Sequence, residues 1–233
     1  MKRFIVLAVL AFLTQACGGG VEGNGILKEE TREAAPFDKI EVSGAFEIFV
    51  RPGNYSAVTI KTDENLLPII ESYVKNGRLR LSTKEKISNF EKLEVYLTMQ
   101  EFNGADLSGA CSIMGRGALS GKDVEFDFSG AVETELELNC ESVKADMSGA
   151  CELTLMGGAD KAEFEMSGAG EINALEFETR ECRIDMSGAG EADVFVTQKL
   201  DVDVSGAAEI RYKGDPAEIN RNVSGAASIE PIK

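Results

Sequence analysis

The tripeptide Ser-Gly-Ala returns at almost regular intervals from the middle of the chain to its end. Seven copies follow one another at steps of 21, 19, 19, 20, 18 and 19 residues. They begin at Ser108, Ser129, Ser148, Ser167, Ser187, Ser205 and Ser224. A repeat of about 20 residues is typical of a solenoid, in which every repeat forms one coil that stacks on the one before it. An eighth copy, Ser43-Gly44-Ala45, stands alone near the start of the chain.

The side chains around each copy alternate between apolar and polar. The residue before each Ser is apolar in all seven copies, and the residue before that is acidic in six of them. An alternation with a period of two is typical of a β-strand with one buried face, whereas a helical period would scramble it. We therefore predict an all-β fold, a β-solenoid (parallel β-helix-like) of about seven coils of 18–21 residues. Its core is predicted to include Phe126, Met147, Phe164, Met166, Ile184 and Val202.

The Ser-Gly-Ala copies are interpreted as narrow corners between two strands of one coil. Gly takes backbone angles that are closed to other residues, and Ser and Ala need little room where neighbouring coils crowd together. The predicted structural corners are Ser108, Gly109, Ser129, Gly130, Ser148, Gly149, Ser167, Gly168, Ser187, Gly188, Ser205, Gly206, Ser224 and Gly225. The alternative is a shallow groove of small side chains that accepts a ligand.

Stacking in register would also align the acidic side chains in two columns. The Asp column comprises Asp127, Asp146, Glu165, Asp185 and Asp203. The Glu column comprises Glu133, Glu152, Glu171, Glu191 and Glu209. Carboxylates on neighbouring coils would lie about 4.8 Å apart, so that their repulsion must be relieved by solvent, by nearby Lys and Arg, or by cations. The two columns are the candidate binding face.

A solvated acidic face is the favoured interpretation of these columns, and no cofactor or metal is assigned. Calcium is the weaker alternative, because hard cations bind several carboxylate oxygens. The Gly-Gly-x-Gly-x-Asp repeat of calcium-binding β-rolls is absent from the sequence. Lys122, Lys144, Lys161, Arg183 and Lys199 precede strands of the repeat and are expected to offset acidic charge locally.

The first residues have the layout of a secretory signal. Lys2 and Arg3 precede an apolar run over residues 4–13, which is too short to span a bilayer. Leu13-Thr14-Gln15-Ala16-Cys17 resembles the lipobox of bacterial lipoproteins, in which the Cys becomes the acylated first residue. We predict a signal peptide over residues 1–16, a lipid anchor at Cys17, and a Gly-rich tether over residues 17–35. The alternative is a plain secretory signal that is cut near Ala16.

This layout predicts an exported outer-membrane lipoprotein, at the cell surface or on the periplasmic side, with the membrane as a partner through its N-terminal lipid. The chain carries 24 basic and 40 acidic residues, a net charge of −16, which argues against nucleic acid as a partner. It has no His and no Trp, and therefore lacks the commonest general base and the best sugar-stacking ring.

Four thiols remain besides Cys17, at Cys111, Cys140, Cys151 and Cys182. Cys111 and Cys151 hold the same repeat position two coils apart, about 9.6 Å by strand spacing, which is too far for a disulfide. We predict buried free thiols, and a metal cluster is not expected without His or a close Cys pair.

Residues 36–233 are predicted to form one domain, with an N-terminal β layer or cap over 36–102 and the repeat over 103–233. Asp63-Glu64-Asn65 offers an N-cap to a short helix over residues 66–74, and Asn76-Gly77 is taken as its end. The cap would cover the open end of the stack, where a bare coil presents unpaired strand edges.

A family resemblance rests on several landmarks that occur in order. The stretch from Phe37 to Phe46, then Asp63-Glu64-Asn65-Leu66-Leu67, Gly77-Arg78-Leu79 and the Ser-Gly-Ala series are similar to the head GIN domain of autotransporter adhesins. The resemblance covers roughly Phe37 to the end of the chain. It implies a β-solenoid-like fold and a role at the cell surface, and it carries over no catalytic residue.

The predicted function is therefore a non-enzymatic envelope adhesin that binds a glycan or protein partner through its stacked β faces. One alternative is a structural envelope module without a specific ligand. The other is a polysaccharide-active β-helix enzyme, which usually builds its cleft from long insertions. The repeats here vary by only three residues in length, which leaves little for such a cleft.

Overall fold

The computed structural model describes residues 19–232. The predicted signal peptide and the predicted lipid anchor at Cys17 lie outside the described residues. The described chain is built from strands, with a single three-residue 3-10 turn at Leu67–Ile69. The strands are β1 (Val21–Glu22), β2 (Leu27–Glu33), β3 (Lys39–Gly44), β4 (Glu47–Pro52), β5 (Ala57–Asp63), β6 (Ile70–Lys75), β7 (Arg78–Thr83), β8 (Ile87–Asn89), β9 (Leu93–Met99), β10 (Gly104–Gly115), β11 (Leu119–Ser120), β12 (Asp123–Lys213) and β13 (Glu218–Pro231). The predicted all-β class is confirmed.

Most of the strands form one curled, mixed sheet of eleven strands. Eight of them follow the order β2-β5-β9-β4-β10-β3-β7-β6, and β11, β12 and β13 join it through β10 and β12. The central pairs, β3 and β4 with β10 and β10 with β12, are parallel, whereas β2 with β5, β5 with β9, and β6 with β7 are antiparallel. β1 and β8 form a separate two-stranded parallel sheet.

The Ser-Gly-Ala copies set the register of the parallel pairs. Ser108 of β10 lies opposite Ser129 of β12, and Ser205 of β12 lies opposite Ser224 of β13. Ser43 of β3 lies opposite Ser108 as well. The eighth copy, which stands alone in the sequence, therefore joins the others in space, and β3 and β4 are the layer directly beneath β10.

The corner glycines approach one another at main-chain distance. A Cβ added to Gly149 would lie 2.4 Å from the carbonyl oxygen of Gly130, and one added to Gly130 would lie 2.3 Å from that of Gly109. The same relation joins every successive member of the series Gly44, Gly109, Gly130, Gly149, Gly168, Gly188, Gly206 and Gly225. Their φ angles are positive, between +106° and +142°. We call these eight glycines the corner file; only Gly combines this φ with such close contact.

The core follows the alternation read from the repeats. All six residues predicted to be in the core are at most 5% exposed: Phe126, Met147, Phe164, Met166, Ile184 and Val202. Each is flanked by residues that face solvent or are half-buried, as a strand with one buried face requires. The last copy differs, since Val223 of β13 is 43% exposed.

The predicted helix over residues 66–74 is wrong. Only the 3-10 turn forms, and from Ile70 the chain is strand β6, which pairs antiparallel with β7. Asn76 and Gly77 both have positive φ, 55° and 74°, which is the conformation of a type I′ turn. Asn-Gly therefore joins two strands of a hairpin instead of ending a helix.

The predicted tether over residues 17–35 also differs from the structure. β1 and β2 both lie within that range, and all seven residues of β2 pair antiparallel with β5. The sheet therefore begins at Leu27, nine residues before the predicted boundary of the domain at residue 36.

Candidate functional site

A concave groove of about 1060 Å³ follows the corner file. Its floor is made by the small third residue of successive Ser-Gly-Ala copies, Ala45, Ala110, Ala131, Ala150 and Ala169. Because none of these side chains extends beyond Cβ, the bend between the two strand segments stays hollow. A second groove of about 630 Å³ shares Gly190 and Glu191 with the first and extends to Ser228 of β13.

The Glu column forms one wall of this groove. Glu133, Glu152, Glu171 and Glu191 line the first part, and Glu209 lines the second. Their side chains are exposed. Within residues 19–232, none of the ion pairs involves a member of the Glu column. The groove therefore presents carboxylates whose charge no protein cation neutralises by direct contact.

The Asp column lies on the other strand segment, before the corner. Three of its five members, Asp146, Glu165 and Asp185, pair with a cation there. Lys144 Nζ lies 3.8 Å from Asp146 and 2.7 Å from Glu165, and Arg183 Nη2 lies 3.5 Å from Asp185. Partial burial, and next the neighbouring Glu165, raise the pKa of Asp146. The hydrogen bond from Lys144 lowers the pKa of Glu165.

The two remaining members of the Asp column have different surroundings. Asp203 accepts a hydrogen bond of 3.0 Å from Asn222 Nδ2. Asp127 forms no ion pair within the part of the chain that the structure describes. The two columns therefore lie on different strand segments. The Glu column lines the larger groove, whereas Asp127, Asp146, Glu165 and Asp185 line a smaller concavity of about 330 Å³.

The five basic residues that were expected to offset acidic charge all do so. Lys144 and Arg183 contact the Asp column, as described above. The others pair with acids outside the two columns: Lys122 with Glu141, Lys161 with Glu181, and Lys199 with Asp201 and Glu218.

The loop between β8 and β9 closes one end of the groove. Phe90, Glu91 and Lys92 line this end together with Phe46, and Phe90 is 37% exposed. These residues lie in an irregular stretch, and only the fold brings them next to the corner file. They add an aromatic surface and one cation to an otherwise acidic groove.

Glu94, which also lines this end, is 5% exposed and anchors a small polar cluster. It accepts hydrogen bonds from Lys92 and, at 2.8 Å, from Tyr96, and it lies 3.4 Å from Lys61 Nζ. The hydrogen bond to Glu94 raises the pKa of Tyr96 to about 12. This cluster fixes the base of the loop that ends the groove.

Cys111, Cys151 and Cys182 are buried and Cys140 is half-buried, and all four are free, in line with the prediction of unpaired thiols. Burial raises the pKa of each of them, that of Cys140 to about 12. They are therefore protonated packing residues at neutral pH.

Across residues 19–232, no three His, Cys, Asp or Glu side chains are grouped closely enough to hold a metal ion. Nor does that part of the chain contain a helix of the length and apolarity needed to cross a bilayer.

The family described as "Putative auto-transporter adhesin, head GIN domain" matches residues 36–216. The chain belongs to this family. This match confirms the predicted resemblance. No curated protein matches the chain.

Solved structures show the same fold. A "putative adhesin" from Bacteroides fragilis superposes with a TM-score of 0.85 at 22% identity, over 91% of this chain and 100% of that one. A "putative lipid binding protein" from Parabacteroides distasonis gives 0.72 at 21% identity, over 91% and 99% of the two chains. A "putative adhesin" from the same species gives 0.67 at 23% identity, again over 91% and 99%.

Proposed function

We propose that this head GIN domain protein is a non-enzymatic, lipid-anchored adhesin of the cell envelope that binds a glycan or protein partner along the groove. Family membership supports the class of protein. The observation that carries the binding site is the groove itself, in which five carboxylates line one wall and form no ion pair with any cation of residues 19–232. Such a wall favours partners that present cationic groups or hydrogen-bond donors.

The proposal includes export and attachment to the outer membrane through acylated Cys17. The lipobox-like stretch that ends at Cys17 supports this anchor. The absence of His from the chain and the equivalence of the corner Ser residues support a binding role over the alternative of a polysaccharide-active enzyme.

We further infer that the repeat is a β-solenoid of about seven coils, in which each Ser-Gly-Ala copy and its two flanking strand segments form one rung. The parallel registers of 21 residues between β10 and β12 and of 19 between β12 and β13 support this inference. The close approach of successive corner glycines supports it as well. Five of the seven rungs would then add one Glu each to the wall, so that the groove offers a repeated surface to an extended partner.

Glycan arrays and arrays of extracellular-matrix proteins test the proposal. The purified domain should give a hit whose affinity falls at least tenfold when Glu152, Glu171 and Glu191 are replaced by Gln. The matched control replaces Glu101, Glu176 and Glu178 by Gln. These residues are exposed and lie outside the groove, and their replacement removes the same amount of charge. An array without any hit would favour the structural-module alternative. A hit that the groove and control variants weaken equally would refute the groove as the binding site.

A further inference from the structure

Residues 20–26 run across the outside of the domain and are fixed to it by main-chain hydrogen bonds. We call this segment the N-terminal strap. The amide of Val21 donates to the carbonyl of Lys86 at 2.8 Å, and the amide of Gly23 donates to that of Asn89 at 2.8 Å. The strap therefore pairs with β8 from its first residues.

Side chains at the end of β5 and just after it hold the second half of the strap. Asp63 is fully buried, and its carboxylate accepts hydrogen bonds from the amides of Gly25 and Glu91, so that it ties the strap to the loop at the end of the groove. Asn65 donates to the carbonyl of Glu22 at 2.7 Å and accepts from the amide of Asn24 at 3.0 Å. The strap is thus part of the folded domain over its whole length.

This fixation leaves very little chain between the domain and the proposed anchor. Three residue steps separate Cys17 from Gly20, and they span at most about 11 Å in any conformation. The predicted tether over residues 17–35 would instead reach about 65 Å. The shorter connection keeps the first residues of the strap within about 11 Å of the lipid-bearing residue, which restricts how far the domain can turn away from the membrane.

We propose that the strap sets the orientation of the domain, with the β1–β8 end against the membrane surface and β13 pointing away from it. The proposal rests on the proposed acylation of Cys17. The occupant of the proximal face is the lipid headgroup layer to which the chain is attached.

The distribution of charge fits this orientation. Residues 19–100 contain 11 basic and 13 acidic side chains, whereas residues 101–232 contain 10 basic and 27 acidic ones. Anionic headgroups repel residues 101–232, whereas residues 19–100 have almost balanced charge and are repelled only weakly. Directly at the end of the strap, Ile26 and Leu27 are 56% and 40% exposed, which places apolar surface next to the headgroups.

The orientation also gives the groove a direction. Its closed end at Phe90 lies beside the strap, because Asp63 binds both Gly25 and the neighbouring Glu91. From Gly44 to Gly225 the corner file makes seven steps, which corresponds to about 34 Å at the spacing of paired strands. The end of the groove at Ser228 is therefore the one that faces outward, toward a partner.

Energy transfer from the full-length lipoprotein to headgroup-labelled vesicles of phosphatidylethanolamine and phosphatidylglycerol tests the orientation. A donor is introduced as a non-natural amino acid at exposed Glu85, next to the strap, or at exposed Asp215, next to β13. Transfer should be about twofold or more higher from position 85 than from 215, given the roughly 34 Å between the two ends. In the matched control, about 20 Gly and Ser residues are inserted between Gly19 and Gly20, and this difference should shrink because the reach grows several-fold.

The outcomes separate this proposal from the anchor on which it depends. Acylation of Cys17 is read by mass spectrometry, and association by sedimentation with the vesicles. If the protein carries no lipid on Cys17 and stays in solution, the anchor is refuted. An acylated, sedimenting protein with equal transfer from the two positions, or with a difference that the insertion leaves unchanged, would overturn the orientation alone.

Discussion

The replacement Gly149→Ala tests the packing of the corner file at its centre. Gly149 has a φ of +106°, and an added Cβ would lie 2.4 Å from the carbonyl oxygen and 3.0 Å from the nitrogen of Gly130. Both contacts are to main chain, so that no change of rotamer can relieve them. The two strands must separate or the corner must change its conformation.

Two contributions set the magnitude. A non-glycine residue in this region of φ costs about 1–3 kcal/mol, and forcing an extra methyl group into a packed site typically costs about 1–3 kcal/mol more. Lower entropy of the unfolded chain returns about 0.4–1 kcal/mol. The free energy of unfolding should therefore fall by about 1–5 kcal/mol, which is a large share of the roughly 5–15 kcal/mol that typically stabilises a folded domain.

Gly117→Ala is the matched control. Gly117 has a similar φ of +113°, but the nearest atom to an added Cβ is Cδ of Pro52 at 3.6 Å, an ordinary contact. This variant carries the conformational cost without the steric one. Urea unfolding followed by far-UV circular dichroism should give a midpoint for Gly149→Ala roughly 1 M below that of Gly117→Ala. Equal midpoints would mean that neighbouring corners are not in contact, and the stacked arrangement would have to be abandoned.

Two further predictions concern the core and the acidic columns. Met166→Asp should lower the free energy of unfolding by about 3 kcal/mol or more, because it places an unpaired charge at a position where Met166 is only 5% exposed. The control Ser167→Asp, at the exposed neighbouring position, should change the free energy of unfolding by less than about 0.5 kcal/mol. Thermal melting of both variants checks this, and a Met166→Asp protein as stable as the wild type would reverse the assignment of inside and outside. Chelation of divalent cations should leave the melting temperature unchanged, since Lys144, Arg183 and water already balance the columns. A fall of several degrees would reveal a specific calcium site.

The local pattern around each repeat was enough to predict the strands and their buried face. Whether a side chain such as Phe164 or Met166 points inward depends only on its parity along the strand, which the sequence displays directly. The spacing of the Ser-Gly-Ala copies likewise predicts the register of β10, β12 and β13, because a parallel pair aligns equivalent positions. The same register places Lys144 beside Glu163 and Glu165 of the next repeat, whereas Arg183 and Asp185 are two residues apart on one strand segment.

The features that sequence reasoning missed depend on contacts between distant residues. A separation of 65 positions in the sequence hides the fact that the corners at Ser43 and Ser108 are neighbours. The strap is held by Asp63, Asn65 and Lys86, and nothing in the Gly-rich sequence before Leu27 indicates those partners. The hairpin at Asn76-Gly77 is different, because an Asn-Gly dipeptide between alternating runs is a strong sequence signal for a hairpin. The N-cap pattern Asp-Glu-Asn before Leu66 pointed to a helix instead, and that prediction was wrong.

The contrast between the two acidic columns has a physical basis that bears on function. Like charges about 4.8 Å apart repel by roughly 1 kcal/mol in water and by about 3.5 kcal/mol at an effective dielectric of 20. Asp146 and Glu165 are half-buried, and Lys144 lies close enough to both to offset their repulsion. The Glu column stands in an open groove, where water screens it and the cost of leaving it unpaired is small. Its carboxylates therefore remain available to a partner, whereas Asp146, Glu165 and Asp185 of the Asp column already pair with Lys144 or Arg183. A partner that covers the groove would remove this screening, and it would have to supply its own donors or cations in place of the water.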